Sequence, residues 1–284
     1  MSAPLAAFEQ AVTLALAEDL DAIGDITTDT VVPAGSRIDA EIRSRQPGRM
    51  AGVDCIAIAL SKFPESAQVT VLAGDGADVA PGETVARLSG AARTVLSAER
   101  TILNILCRLS GIATATAAAV RLIDGTGAVI KDTRKTTPGL RALEKYAVAV
   151  GGGVNHRFGL HDAVLIKDNH IGFAGSITAA VNRIRSRRGA STRIQVEVET
   201  MDQLEEALRC QVSAVLLDNL SLEQLRAAVE LVEGRCHTEA SGGITLANVR
   251  EVAATGVDAI SMGWLTHSAA GLDLGLDVAA IQEA

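Results

Sequence analysis

AVLLDNLSLEQLRAAVELVEGRCHTEASGGITLANVREVAATGVDAISMG, residues 214–263, carries the fold in its spacing. Three short apolar runs begin at 214, 236 and 259, separated by 22 and 23 residues. Between them lie LEQLRAAVELV (222–232) and LANVREVAATG (246–256), whose apolar residues recur at helical intervals. A strand and a helix in so short a repeat is the unit of a parallel α/β sheet or barrel. Each strand runs into polar residues or glycine: Asp218-Asn219, Ser241-Gly242-Gly243, and Gly263 after Ser261.

The same rhythm extends upstream. AVIK (128–131) leads into Asp132-Thr133-Arg134-Lys135, and AVLIK (163–167) leads into Asp168-Asn169-His170. IQVEV (194–198) carries Glu197, with Glu199 two residues on and therefore on the same face. A helix is expected over MDQLEEALRC (201–210). A doubly wound sheet concentrates its ligand groups at one switch point. Polar residues at the C-terminal ends of six successive strands point instead to the mouth of an α/β barrel.

The chain before residue 112 reads as a smaller, strand-rich α+β domain. AAFEQAVTLALAEDL (6–20) has the spacing of an amphipathic helix, with Phe8, Val12, Ala15 and Leu16 on one face. GDITTDTVVP (24–33) reads as a polar loop, RIDAEIRSR (37–45) as a strand and GVDCIAIALSKF (52–63) as a helix. Two strands are expected within 68–90. AARTVLSAERTILNILCRLSG (91–111) reads as a long helix stopped by its glycine.

Composition narrows the function. With 34 acidic against 26 basic residues the formal charge is −8, which argues against a general nucleic-acid or anionic-membrane surface. Aromatics make up 2%, too few for a base-stacking platform. Cys55, Cys107, Cys210 and Cys236 form no CxxC pair and no zinc spacing, so four thiols in a reducing compartment are expected. The start MSAPLAAFEQ lacks a basic leader, and no apolar run reads as membrane-spanning. A soluble, cytoplasmic protein is expected, with no nucleic-acid or membrane partner.

Against that acidic background, DTRKTTPGLR (132–141) is conspicuous for gathering Arg134, Lys135 and Arg141. Arg157 and Lys167, with His156, join Arg134 and Lys135 at the strand ends, and Glu197, Glu199 and Asp218 face the same mouth. The cations ask for an anionic ligand, carboxylate or phosphate. The acids would repel that ligand unless they hold a metal or sugar hydroxyls, and a sugar phosphate with Mg2+ satisfies both sets. SGGI (241–244) follows a strand and precedes a helix, so its bare backbone N–H groups and the helix dipole are expected to bind phosphate, and paired glycine loops after the last two strands suit the same ligand.

Plainer readings exist for several of these residues. The plainer reading of Lys167 is a solvated strand end, which its LIKDNH context speaks against; that of Glu199 is the cap of the helix near 202, and Asp168 reads as a cap or as a group orienting Lys167. Arg141, Glu144 and Lys145 read as a solvated helix face. Cys236 and His237 alternate faces and make no metal pair. VGGGVNHR (150–157) is either an ordinary loop or backbone shaped around a ligand.

Taken together, ERTILNILCRLSGIAT (99–114), the block 132–170, VEVE (196–199), LLDN (216–219), EASGGI (239–244) and SMGWLTHS (261–268) resemble the quinolinate phosphoribosyltransferase family over nearly the whole chain. The resemblance implies an α/β fold: an N-terminal α/β sandwich domain (1–111) with a long linking helix, an open, seven-stranded α/β barrel with the active-site mouth (112–270), and a C-terminal segment (271–284) returning to the first domain. It implies transfer of phosphoribosyl from 5-phosphoribosyl 1-pyrophosphate to quinolinate, with Mg2+, giving nicotinate mononucleotide, pyrophosphate and CO2 in NAD biosynthesis. It implies a homodimer, or a hexamer of dimers, in which Arg100 crosses to the neighbouring site. By resemblance Arg134, Lys135, His156, Arg157 and that Arg100 hold the two quinolinate carboxylates. Lys135 and Lys167 face the phosphoribosyl ligand, and Glu197 and Asp218 hold ribose hydroxyls or Mg2+. Ser241, Gly242, Gly243, Ser261 and Gly263 take the 5-phosphate, with His267 nearby. Lys135, Lys167, Glu197 and Asp218 are the implied catalytic set.

Two positions depart from the family pattern: Gln195, where relatives commonly carry Glu, and Trp264, where they carry a small residue. The rival activities are a related phosphoribosyltransferase acting on another aromatic acid, a Schiff-base lyase using Lys167, and a binding module without turnover.

Overall fold

The computed structural model describes residues 3–283. The chain opens with α1 (Leu5–Leu20), which buries Phe8, Val12 and Leu16 as its spacing requires. The polar stretch read as a loop contains a short helix, α2 (Ile26–Val31), because the Asp25 carboxylate accepts the Thr28 N–H at 2.9 Å and caps it. Then follow β1 (Arg37–Ser44), β2 (Gly48–Arg49), α3 (Asp54–Leu60), β3 (Ala67–Val71), β4 (Asp78–Val79) and β5 (Thr84–Ala91), so the 68–90 stretch supplies three strands rather than two.

The long helix α4 (Ala92–Leu122) does not stop at Gly111. A Cβ there would lie 2.1 Å from the Ala270 carbonyl oxygen, so glycine serves the close approach of another segment. Contrary to the sequence reading, α4 is long and apolar enough to cross a membrane by length and composition. Val95, Ala98, Ile102, Leu106, Leu109 and Ile112 along it are buried in the core.

The rest of the chain supplies β6 (Val129–Lys131), α5 (Arg141–Val150), β7 (Val164–Ile166), α6 (Asp168–Ala174), α7 (Ile177–Arg188), β8 (Ile194–Val198) and α8 (Met201–Arg209). It continues through β9 (Ala214–Asp218), α9 (Leu222–Val232), β10 (His237–Ser241), α10 (Val249–Ala253), β11 (Ala259–Ser261), α11 (Trp264–His267) and β12 (Leu274–Gln282).

These elements form two compact units. The first takes in the chain up to Ala117, Thr136–Gly152 and the chain from Leu265 on. Its sheet has the order β12-β1-β5-β3 with antiparallel pairings, and β12 pairs along β1 from Arg37↔Gln282 to Ser44↔Leu274. The Phe8 and Tyr146 rings meet edge to face in its core at 6.1 Å.

The second unit spans Ala118–Lys135 and Gly153–Trp264. Its sheet is parallel throughout, in the order β6-β11-β10-β9-β8-β7. Six strands match the six apolar runs. Where the family resemblance implies a seventh, Val154 makes one isolated parallel bridge to Lys131 beside β6. Val215, Leu216 and Leu217 are buried on both faces of β9, as in a parallel sheet covered on both sides. Side-chain caps at Ser176, Thr200 and Ser221 start α7, α8 and α9.

Candidate active site

In a parallel sheet, residues in register share a face. Glu197 pairs with Leu216, Leu216 with Glu239 and Glu239 with Ala259; farther along, Asp218 pairs with Ser241, and Ser261 with Lys131. The polar residues at the strand ends therefore share one face, and their side chains meet across intervening strands. Gln195 Nε2 reaches Glu239 Oε2 at 3.1 Å over β9, and Lys131 Nζ reaches the same oxygen at 2.9 Å over β11. Such convergence belongs to the inner face of a curved sheet.

Glu239 is fully buried, and its other oxygen accepts the Ser261 hydroxyl and faces His156 Nε2 at 3.3 Å. Burial opposes its charge, but the hydrogen bond from His156 Nε2, the Lys131 charge and the Ser261 hydroxyl outweigh burial and hold its carboxyl well below the usual carboxylate range. Asp132, also fully buried, accepts the Asn155 side-chain amide at 2.6 Å and the His156 backbone N–H at 2.8 Å. Two buried carboxylates thus fix the Asn155-His156-Arg157 segment of the VGGGVNHR stretch.

That segment places Arg157 where it feels the Arg134 charge. Burial first, and then the Arg134 charge, depress the Arg157 guanidinium below its ordinary value. Arg157 Nη1 donates to the Ala163 carbonyl at 3.2 Å, while Arg134 Nε is buried without a hydrogen-bond partner. Two guanidinium groups that feel each other's charge, one with an unsatisfied buried donor, suit an anion. Lys135 is exposed next to them, its backbone N–H on the Thr133 hydroxyl at 3.0 Å.

On the facing strands Lys167 Nζ lies 2.5 Å from Glu197 Oε2. Asp218 accepts the Asn219 side-chain amide at 2.7 Å. Gly242 has φ +95°, and a Cβ on it would stand 2.1 Å from Asn219 Oδ1. Glycine is what allows the strand end to fold against Asn219. Gly243, at φ +61°, is exposed, with nothing within 4 Å of where its Cβ would be.

Some sequence readings change. The Ser241-Gly242-Gly243 loop does not open a helix, since α10 begins only at Val249. Its value for a phosphate lies in open backbone, not in a helix dipole. Glu199 is not the cap of α8: Thr200 Oγ1 accepts the Gln203 N–H at 3.2 Å and takes that role. The Arg141-Glu144-Lys145 face is not solvated. Glu144 and Lys145 are buried, and Glu144 accepts Arg108 Nη2 at 2.8 Å, the Thr137 hydroxyl at 2.7 Å and the Thr137 N–H at 3.0 Å. Arg141 Nε donates to the Thr136 hydroxyl at 2.9 Å. Arg100 and His267 belong to the first unit: Arg100 is exposed on α4, and His267 is exposed with Nδ1 2.5 Å from the Ser268 hydroxyl. Trp264 begins α11 with its indole nitrogen buried and unpartnered.

Family models describe what the geometry brings together. Residues 25–110 match the N-terminal domain of quinolinate phosphoribosyl transferase, and residues 112–277 match its C-terminal domain. The chain belongs to the quinolinate phosphoribosyltransferase family. Among curated members of that family, the nicotinate-nucleotide pyrophosphorylase [carboxylating] of Mycobacterium leprae is 45% identical over 271 residues, covering 93% of this chain and 94% of its own. The probable enzyme of that name from Bacillus subtilis is 45% identical over 255 residues, covering 90% and 88%. The solved nicotinate-nucleotide pyrophosphorylase of Francisella tularensis superposes with a TM-score of 0.92 at 38% identity, covering 98% of both chains.

The sequence reading does not single out Glu239 and Lys131, which build the site, and treats Gln195 only as a departure from the family pattern.

Proposed function

We propose that this chain joins quinolinate to 5-phosphoribosyl 1-pyrophosphate and releases pyrophosphate and CO2, giving nicotinate mononucleotide for NAD biosynthesis. The names "carboxylating" and "decarboxylating" among its relatives describe one reaction in opposite directions. The observation that carries the proposal is Arg134, whose buried Nε has no hydrogen-bond partner, together with Arg157, which feels the Arg134 charge, in an acidic protein. Quinolinate, with carboxylates on adjacent ring carbons, supplies the two anionic ends such a pair asks for. Lys135 and His156 stand beside the pair. We assign Lys135 and Lys167 to the phosphoribosyl ligand and Glu197 and Asp218 to the ribose. The 5-phosphate falls to the backbone of Ser241, Gly242, Gly243, Ser261 and Gly263, with His267.

The pyridine nitrogen attacks ribose C1 as the bond from C1 to the pyrophosphate oxygen breaks. Positive charge develops at C1, and Glu197 and Asp218 stabilise it. The ring, now a pyridinium, accepts the electron pair left when the adjacent carboxylate departs as CO2, and that carbon then takes a proton from water. No protein nucleophile is needed; holding two polyanions in register is most of the task. The Schiff-base alternative is disfavoured, because Lys167 is engaged by the Glu197 carboxylate rather than held as a free amine.

Glu197 and Asp218 fit Mg2+, a hard cation that takes one or two carboxylates together with substrate phosphates and water. Among the described residues no cluster of three or more His, Cys, Asp or Glu could hold a metal, so the remaining ligands fall to the substrate and water. Bound Mg2+ supplies charge neutralisation for the departing pyrophosphate. We further assign the working form to a homodimer, or a hexamer of dimers, with Arg100 reaching the neighbouring site; its exposed place on α4 suits that role. We assign the protein to the cytoplasm, which its four free cysteines suit.

Calorimetric titration tests the site assignment. Quinolinate is expected to bind at least about tenfold more tightly than nicotinate, and Arg134→Ala to remove that preference. Equal affinity for the two acids would overturn the dicarboxylate assignment.

A further inference from the structure

Glu239 collects four donors from four parts of the second unit: Lys131 on β6, Gln195 on β8, Ser261 on β11 and His156 from the segment after Gly153. Each of its oxygens takes two. His156 is held equally closely. Its backbone N–H goes to Asp132, and its Nδ1 accepts the backbone N–H of Arg157 at 2.7 Å. A ring nitrogen that accepts an N–H carries no hydrogen of its own. The ring hydrogen therefore sits on Nε2, which faces Glu239 Oε1 at 3.3 Å. Both ring nitrogens are committed inside the protein.

We propose that Glu239 is a positioning residue that holds His156 with its hydrogen on Nε2, so that His156 serves the site by fixing Arg157 rather than by offering a charge to the substrate. The link to quinolinate rests on the function proposed above; the tautomer does not. It follows that the cationic end of the site is Arg134, Arg157 and Lys135, with His156 part of the scaffold that aims Arg157.

A glutamine at 239 exposes the logic. It keeps the shape of the carboxylate but turns one acceptor into a donor. Lys131 can only donate, so the amide oxygen must face Lys131 and the NH2 must face Ser261 and His156. The Ser261 hydroxyl can turn to accept. His156 would have to accept at Nε2 and carry its hydrogen on Nδ1, where the Arg157 N–H already points.

The experiment is long-range proton–nitrogen NMR of the ligand-free full-length protein labelled at histidine, near neutral pH, with His156 assigned by its loss in His156→Gln. The wild-type ring is expected to show a protonated Nε2 and a bare, accepting Nδ1. Glu239→Gln is expected to abolish that pattern. In kinetics it is expected to raise the KM for quinolinate about tenfold while leaving that for phosphoribosyl pyrophosphate within about twofold. A wild-type ring protonated on Nδ1, or on both nitrogens, would overturn the proposal, as would an unchanged pattern in Glu239→Gln. Should Glu239→Gln fail to fold, the wild-type spectrum decides alone. Because that spectrum needs no substrate, an inactive protein with the expected tautomer would count against the reaction and leave the Glu239–His156 assignment standing.

Discussion

At the scale of single residues, the site rests on buried carboxylates that bind no substrate. Glu239 and Asp132 hold His156 from two sides, and Glu239 also ties β6, β8 and β11 together. This has a consequence for acid stability. The Glu239 carboxyl is held below its ordinary value of 4.5 in the fold, so its charge contributes fully above that pH. The contribution drains away as pH falls through the lower, folded value. Urea unfolding should therefore find Glu239→Gln less stable than wild type at pH 7, with the gap narrowing below pH ~4.5; a gap that widens in acid would contradict the assignment. A second prediction concerns the Lys167–Glu197 contact. Glu197→Gln should lower kcat roughly a hundredfold with smaller changes in KM, since the acid acts on charge that develops only in the transition state. A purely structural pair would instead show the loss as reduced stability. The strand-end acids and cations were legible in the sequence because they interrupt apolar runs. The Glu239 network was not, because its partners lie 22 to 108 residues away and meet only once the sheet curves.

At the scale of elements, periodicity located α1 and α9, each of which has one face to bury, and short runs located the six parallel strands, whose sheet is covered on both sides. It failed where one local or one distant contact decides. α2 is a run of polar and β-branched residues, and its helix depends on the Asp25 cap. Asp25→Ala should cost about 1 kcal/mol, measurable as a lowered urea midpoint with an unchanged slope. Gly111 looks like a helix stop in one dimension but lies mid-helix, where Ala270 comes too close for any side chain. Gly111→Ala should therefore destabilise by about 1–3 kcal/mol through overpacking, against the small gain that alanine usually brings to a helix. A stabilised variant would show that the approach of 270 to the helix is not tight. The glycines after β10 are a third case: the sequence pattern suggests a helix-terminus phosphate site, yet α10 starts at Val249 and leaves an open turn.

At the scale of the whole molecule, the two family domains follow each other at residue 111, while the compact units interleave along the chain. The first unit recovers Thr136–Gly152 and everything from Leu265, including the strand that pairs with β1. Boundaries of that kind cannot be read from composition, because they depend on where returning segments dock. The assembly has its own test. If Arg100 works in the neighbouring site, Arg100→Ala and Arg134→Ala should each be nearly inactive alone. Mixed and reassembled as hybrids, they should regain about a quarter of wild-type activity, the share expected when one of two sites in half of the dimers is intact. No recovery in verified hybrids would place Arg100 outside the partner's site. The central claim is tested most directly by turnover. Purified protein with phosphoribosyl pyrophosphate and Mg2+ would be given quinolinate or nicotinate, with nicotinate mononucleotide and CO2 followed together. The account predicts both products in equal amounts from quinolinate and none from nicotinate. Nicotinate mononucleotide formed from nicotinate, or no product from quinolinate by a folded protein that binds it, would contradict it.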